Sequence, residues 1–246
     1  LVFRPGPLLA RSPADIGLRF EDLRLDGDGQ VVAGWWLGGS QERAVLFFYG
    51  SDGNMTHELS TLSYLHLLGA SVLVVDYPGY GRSPGTPSEQ GCYRAAEAAW
   101  AAVCDRGFDP GDVIVFGQSL GSAVAAYLAG SRACGGLVVH SGFTSVPDMA
   151  ARAYPFLPVR YFCRAKMNSL ERIAGCRCPV LVLHSADDEH VPLSQAHALF
   201  DQAPGPKRIV EFHGPHTSSH WQHVAAVRAA WLELLSGRLE RWQRSE

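Results

Sequence analysis

The chain carries a serine, a run of acids and a group of histidines in an order that suits nucleophilic acyl transfer. Ser119 stands between Gly117 and Gly121 in "FGQSLGSAVAAYLAG". A serine hydroxyl is a weak nucleophile until a histidine takes its proton, and a carboxylate must hold that imidazole in orientation. Downstream, "LVLHSADDEHVP" offers Asp187, Asp188 and Glu189. Beyond it, "IVEFHGPHTSSHW" offers His213, His216 and His220, with His223 close behind. Gly-x-Ser-x-Gly alone is weak evidence in a chain with 26 glycines. It gains weight where a strand enters the turn and a helix leaves it, because that geometry lifts the hydroxyl above the sheet edge.

Position separates the histidines. His213 ends an apolar run and is expected to be buried and structural. His216 falls in the loop beyond and can reach back across the sheet edge, whereas His220 and His223 fall in the first turns of a closing helix. His216 is the base expected here, with His220 the second candidate. His216 and His220 also have the i, i+4 spacing of a metal pair. The stretch has no His-Glu-x-x-His arrangement, so no metal ligand and no cofactor are expected.

The elements around Ser119 meet the requirement. "DVIVF" (Asp112–Phe116) enters the turn with the β-branched and aromatic texture of a buried strand, and "SAVAAYLAG" leaves it as a helix ending at Gly130. Side chains two residues to either side of the serine would collide across the turn, which accounts for the two glycines. Similar apolar runs lie at Ala44–Gly50, Ser71–Tyr77, Gly136–Gly142, Pro179–Ser185 and Arg208–Gly214. Such runs imply strands covered on both faces. Leu18–Asp26 and Val31–Gly38 predict a hairpin around Gly27–Gly29 with one solvated face. "HWQHVAAVRAAWLELLSG" predicts one closing helix, with Trp221, Val224, Val227, Trp231 and Leu235 on its core face. The alternation of strand and helix predicts an α/β fold with a doubly wound, mostly parallel sheet in a single domain over 1–246. Ligands of such sheets bind beyond the carboxyl ends of the strands, where Ser119 belongs.

With 47% hydrophobic and 18% charged residues, the 246-residue chain has the composition of a globular domain with a sizeable core. A net charge of -3 without a basic run gives no reason to expect nucleic acid as a partner. The six cysteines are scattered and fit small buried hydrophobes in a reducing, cytoplasmic setting better than a disulfide framework. The chain opens at Leu1 and not at methionine, so an upstream segment is expected. Membrane contact, if any, is expected only through that segment.

Taken together, "DYPGYGRSPGTPSEQG" (Asp76–Gly91), "GQSLGSAVA", "SLERI" followed by "CPVLVLHSADDEHVP", and "GPH" resemble the α/β-hydrolase-domain serine hydrolases. The branch resembled is the compact one that includes membrane-associated protein depalmitoylases and their bacterial relatives. The resemblance spans about Leu18 to Leu235 and implies a short lid over about 143–178. It implies Ser119 as nucleophile and His216 as base. It implies Asp188 as acid, because His184, Asp188, Val191 and Pro192 match the family's His-Gly-x-x-Asp-x-x-Val-Pro, with Ser185 in place of glycine. "TSSHW" is one residue longer than the family usually has, which keeps His220 in view. Asp76 is implied to be a structural residue of its turn. The family normally has His-Gly after its third strand, where this chain has "FYGSDGN"; the backbone amides of Ser51 and Leu120 are the implied oxyanion donors. Tyr49, standing for that histidine, is expected at the pocket mouth. Phe143, Tyr154, Phe156 and Leu157 are expected to line an acyl slot, or else simply to cover the sheet. The activity implied is hydrolysis of carboxylic esters or thioesters, small-molecule or protein-borne, through an acyl-enzyme. The alternative is a catalytically weak or inactive small-molecule binding protein on the same fold, since fold does not fix function.

Overall fold

The computed structural model describes residues 2–39, 42–159, 162–216, 219–240 and 242–243. Apolar runs too uniform to leave a face in water build an eight-stranded sheet. A short strand β1 (Arg4–Pro5) precedes the predicted hairpin, β2 (Glu21–Asp26) and β3 (Val31–Leu37). The chain continues through β4 (Ala44–Phe48), β5 (Asp52–Gly53), α1 (Leu59–Leu67), β6 (Ser71–Val75), α2 (Glu89–Cys104), β7 (Val113–Gln118) and α3 (Leu120–Ser131). Then come β8 (Gly136–His140), α4 (Val146–Ala153), α5 (Ser169–Ala174), β9 (Val180–Ser185), α6 (Leu193–Gln202), β10 (Lys207–Phe212) and α7 (Ala225–Ser236).

The large sheet runs β10-β9-β8-β7-β4-β6-β3-β2, with only β2 and β3 antiparallel to their neighbours. This is the α/β-hydrolase fold. From β4 the chain first builds one side of the sheet and then returns to β7 on the other, so the switch point lies between these two strands. Phe48 pairs with Gly117, and Gln118 with His140. The loops after β4, β7 and β8 therefore leave the sheet at one level. Beneath them Phe116 stacks on Phe47 at 4.9 Å and meets Trp231 edge-on at 5.2 Å, fixing the central strands against α7.

Two expectations change, and one strand is added. The closing segment is not one helix: a 3-10 turn over Ser219–His223 ends at Val224, whose extended backbone (ψ 116°) separates it from α7. Trp221 and Trp231 are still both buried, reached from two elements instead of one. β10 is an edge strand of mixed burial, with Lys207, Val210 and Phe212 buried and Glu211 exposed, because no strand of the sheet lies beyond it. And β1, too short to register as a pattern, pairs with β5 through Arg4 opposite Asp52. All six cysteines are free thiols. Among the described residues no helix is long and apolar enough to cross a membrane.

Candidate active site

Ser119 sits on a strained turn between β7 and α3, with φ 50° and ψ −116°. A non-glycine residue in this region costs about 1–3 kcal/mol and persists only where its surroundings impose it. They do so here. A Cβ on Gly121 would lie 1.9 Å from the Phe48 carbonyl oxygen, and one on Gly117 would lie 2.2 Å from that of Gly121. The chain can cross itself this closely only at glycine. The Ser119 carbonyl accepts from Ser122 Oγ at 2.6 Å and from Ser122 N at 2.9 Å. The Ser119 N–H donates to the His140 carbonyl at 2.9 Å, which keeps the turn on the sheet.

The elbow presents the hydroxyl to His216. Ser119 Oγ lies 2.9 Å from His216 Nε2, and His216 Nδ1 lies 2.6 Å from Asp188 Oδ2. With Nδ1–H donating to the carboxylate, Nε2 is free to accept the serine proton. Asp188 Oδ1 accepts from the N–H groups of His190 at 2.9 Å and Val191 at 2.7 Å. Burial pushes the Asp188 pKa upward, but the hydrogen bonds of His216, Val191 and His190 and the charge of His216 outweigh it and hold the carboxyl at about 2.

The loop carrying His216 is tied at several points. Its carbonyl accepts from Ser141 Oγ at 3.4 Å, and its N–H donates to Glu189 Oε2 at 3.2 Å. Ser185 Oγ donates to the Gly214 carbonyl. His184, fully buried, donates from Nε2 to the Val191 carbonyl at 2.8 Å and so braces the Asp188 turn. Burial holds the His184 pKa below its ordinary value, and holds that of His140 at about 3. The ring of His190 stacks on that of His216 at 5.2 Å. Ser141, Glu189 and His190 acquire these positions only through the fold. Serine at position 185, where the resemblance leads one to expect glycine, was the single clue to such bracing.

The neighbouring candidates fall elsewhere. Asp187 Oδ2 accepts from His213 Nδ1 at 2.9 Å in a pair whose side chains are 58% and 81% exposed. His213 is thus not the buried residue its place at the strand end predicts, because the edge strand leaves it in water. The side chain of His220 lies outside the described residues. Ligand atoms of Asp188, Glu189 and His190 lie within 4.8 Å of one another. The oxygens of this cluster already accept from His216, His190 and Val191, so its chemistry is explained by positioning the imidazole.

Ser51 and Leu120 line, together with Ser119, a cavity of about 970 Å³. Leu120 opens α3, so its own helix leaves its N–H without an acceptor. The Ser51 peptide is pinned through its carbonyl, which accepts from Arg4 N at 3.1 Å and from the Tyr80 hydroxyl at 2.9 Å. Tyr77 donates to the Tyr49 carbonyl at 2.8 Å. Tyr49 itself is fully buried and lies outside the cavity lining, in place of its expected position at the mouth. Its hydroxyl donates to Asp76 Oδ1 at 3.0 Å, and Asp76 also accepts from Met55 N and Arg82 N. Burial pushes the pKa of Asp76 up, against these donors. Tyr49 therefore anchors the loop after β4 from behind.

Phe143 and Tyr154 line the cavity. Phe156 and Leu157 do not: they are 97% and 59% exposed, on the outer side of the segment after α4. They neither form an acyl slot nor cover the sheet. The apolar wall comes instead from Val146, Met149 and Ala150 on α4, whose i, i+3, i+4 spacing was the available signal. The opposite walls are Val2, Gly6 and Pro7 from the N-terminal arm, with Glu58, Thr61 and Trp221.

Residues 43–161 match the family model described as alpha/beta hydrolase fold. An uncharacterized protein of Mycobacterium tuberculosis is 40% identical over 187 residues, covering 74% of this chain and 66% of that protein, so the chain spans just under two thirds of that relative's length. The alpha/beta hydrolase domain-containing protein WAV2 of Arabidopsis thaliana is 32% identical over 213 residues, covering 78% of this chain and 69% of that protein. An esterase of Pyrococcus furiosus superposes with a TM-score of 0.77 at 17% identity, covering 97% of this chain and 98% of its own. Est1E of Butyrivibrio proteoclasticus, with ferulic acid bound, gives 0.68 at 19% identity, covering 87% and 99%. At such identities the structural likeness speaks for the fold alone. With the sequence relatives beside it, the chain belongs to the alpha/beta hydrolase family.

Proposed function

We propose that the protein hydrolyses carboxylic esters or thioesters through an acyl-enzyme on Ser119. The observation that carries this reading is the continuous relay from Ser119 Oγ through His216 to Asp188, with its hydroxyl at a cavity of small-molecule size. As Ser119 Oγ bonds to the substrate carbonyl carbon, its proton passes to His216 Nε2. Asp188 stabilises the imidazolium, and the amides of Ser51 and Leu120 receive the oxyanion. The intermediate collapses as His216 protonates the departing alcohol or thiol. Water, deprotonated by His216, then attacks the acyl-serine, and the acid leaves as the serine proton is restored.

Phe143, Val146, Met149 and Ala150 give the cavity an apolar side suited to an acyl chain. Protein-borne acyl thioesters, the class suggested by the resemblance to depalmitoylases, are a finer reading of the same site. The test is hydrolysis of p-nitrophenyl esters from acetyl to dodecanoyl and of matched thioesters, with Ser119→Ala beside the wild type and chelator in a parallel set. Turnover that survives chelator and is lost in the variant is the expected result. A wild type as inert as Ser119→Ala on every ester and thioester would remove the proposal and leave a binding pocket.

A further inference from the structure

The cavity holds a carboxylate that the hydrolytic steps leave unused. Glu58 lines the same space as Ser119 and His216. It is half-buried, and Thr61 Oγ1 donates to its Oε2 at 3.3 Å. Glu58 enters no ion pair among the described residues, whereas Arg4, His190 and His216 on the cavity wall each have a carboxylate beside them. Arg4 pairs with Asp52 at 2.6 Å, His190 with Glu189 at 3.2 Å and His216 with Asp188. Glu58 stands at the N-cap position of α1, but its carboxylate accepts no backbone N–H of the first turn.

A carboxylate partly withdrawn from water without an ion-pair partner is costly, and such groups concentrate where a ligand supplies the missing partner. With Arg4 neutralised by Asp52, Glu58 is the carboxylate of the cavity wall that has no ion-pair partner among the described residues. We propose that Glu58 is a specificity-determining residue that favours esters bearing a cationic group, an ammonium foremost, and disfavours anionic ones; this rests on the hydrolase reading above. The apolar residues of α4 would take the substrate's carbon stem while Glu58 takes its charge. The pKa of Glu58, raised by burial against the Thr61 hydrogen bond, stands at about 7. The charged and titratable groups around it are Arg4, Asp52, His57, His190 and His216 on the cavity wall and Tyr77 behind. Both members of a substrate pair meet the same catalytic groups, so the charge preference is read as the ratio of their kcat/KM values.

The experiment measures kcat/KM for isosteric fluorogenic esters of heptanoate, aminohexanoate and adipate, and for choline acetate against its uncharged dimethylbutyl counterpart. Wild type, Glu58→Gln, Glu58→Lys and Ser119→Ala are compared at about pH 6 and about pH 8, two conditions chosen to bracket the Glu58 titration. The expected result is about a tenfold preference for the cationic member of at least one pair at the higher pH, with the anionic ester worst. That preference should narrow at the lower pH, fall to near unity in Glu58→Gln and invert in Glu58→Lys. The wild-type ratio stands by itself should either variant fail to fold. Hydrolysis with no charge preference in either series, or a preference that both variants retain, overturns the inference and leaves the hydrolase reading intact. If no ester is turned over faster than by Ser119→Ala, the hydrolase reading falls, and the inference with it.

Discussion

Asp188 commits its two oxygens in different directions, and its role follows from that division. Oδ2 meets His216 Nδ1, while Oδ1 is held by two consecutive backbone N–H groups of its own turn. A carboxylate fixed in this way cannot rotate from the imidazole, and its charge keeps the proton on Nδ1 and off Nε2. Its pKa is depressed from 3.8 to about 2, so the stability it contributes is complete above 3.8 and is lost as pH falls through about 2. Across the neutral range it stays ionised, so the acid limb of a kcat/KM profile should not report protonation of Asp188. Asp188→Asn keeps the shape but allows the amide to donate to Nδ1, placing the proton on the wrong nitrogen. It should lower kcat by about 10³–10⁴ with KM changed little. Steady-state kinetics on a short ester checks this. A loss below about tenfold would mean that His216 is oriented by the backbone ties of its loop alone.

The loop between β4 and β5 shows how an element acquires precision from residues behind it. Tyr49, Tyr77 and Tyr80 pack ring to ring, with centroids at 4.9 and 5.5 Å, and their hydroxyls hold Asp76, the Tyr49 carbonyl and the Ser51 carbonyl respectively. Tyr49→Phe removes one buried donor from Asp76 without opening a large cavity. It should cost about 1–3 kcal/mol of stability and reduce kcat more than KM, because in the proposed mechanism the Ser51 amide acts on the transition state. A thermal melt and the kcat/KM split measure both; unchanged kcat with lowered stability would confine Tyr49 to the core. On the opposite wall, Met149→Trp should shorten the acyl chain the cavity accepts, read as a shift in the ester length profile with acetyl ester hydrolysis retained. An unaltered profile would place the acyl chain elsewhere. The sequence was informative where one local segment dictates the outcome. β7, the two glycines and α3 were legible because steric crossing at Gly121 leaves little choice of residue, and the order of serine, acid and histidine follows the order of strands. The cavity walls were not, because Val2, Glu58, Met149 and Trp221 converge from four distant segments, each unremarkable in its own neighbourhood. Density of aromatics drew attention to Phe156 and Leu157, which face water, since hydrophobicity alone carries no direction in a segment without a period. The break at Val224 was hidden for the opposite reason: the i, i+3 steps Trp221–Val224–Val227 run straight across it.

At the scale of the whole molecule, the N-terminal arm reaches back to the loop that bears Ser51. Arg4 and Pro5 add a strand to Asp52 and Gly53, and Arg4 N also donates toward the Tyr80 hydroxyl at 3.0 Å. Farther along, Asn54 Nδ2 donates to the Gly6 carbonyl at 3.2 Å and the Pro7 carbonyl at 3.0 Å. The Leu9 N–H donates to Thr56 Oγ1 at 3.2 Å. The arm thus braces the loop bearing Ser51 while Val2, Gly6 and Pro7 close one side of the cavity. Its removal subtracts few apolar contacts from the core, so the fold should survive with a lowered melting temperature. Activity should suffer more than stability, since Ser51 loses the N–H that fixes its carbonyl and the cavity gains an open side. Deletion through Pro7 should reduce kcat by about tenfold, within the cost of a weakened oxyanion donor, and raise KM chiefly for longer acyl chains. The Arg4→Ala variant separates the two effects: the backbone strand remains, only the exposed pair with Asp52 is lost, and such pairs contribute about 0–1 kcal/mol. It should therefore stay close to wild type on neutral esters. If the truncated chain keeps full kcat and the same length profile, the loop holds Ser51 without the arm, and the arm's place beside the cavity has no bearing on turnover.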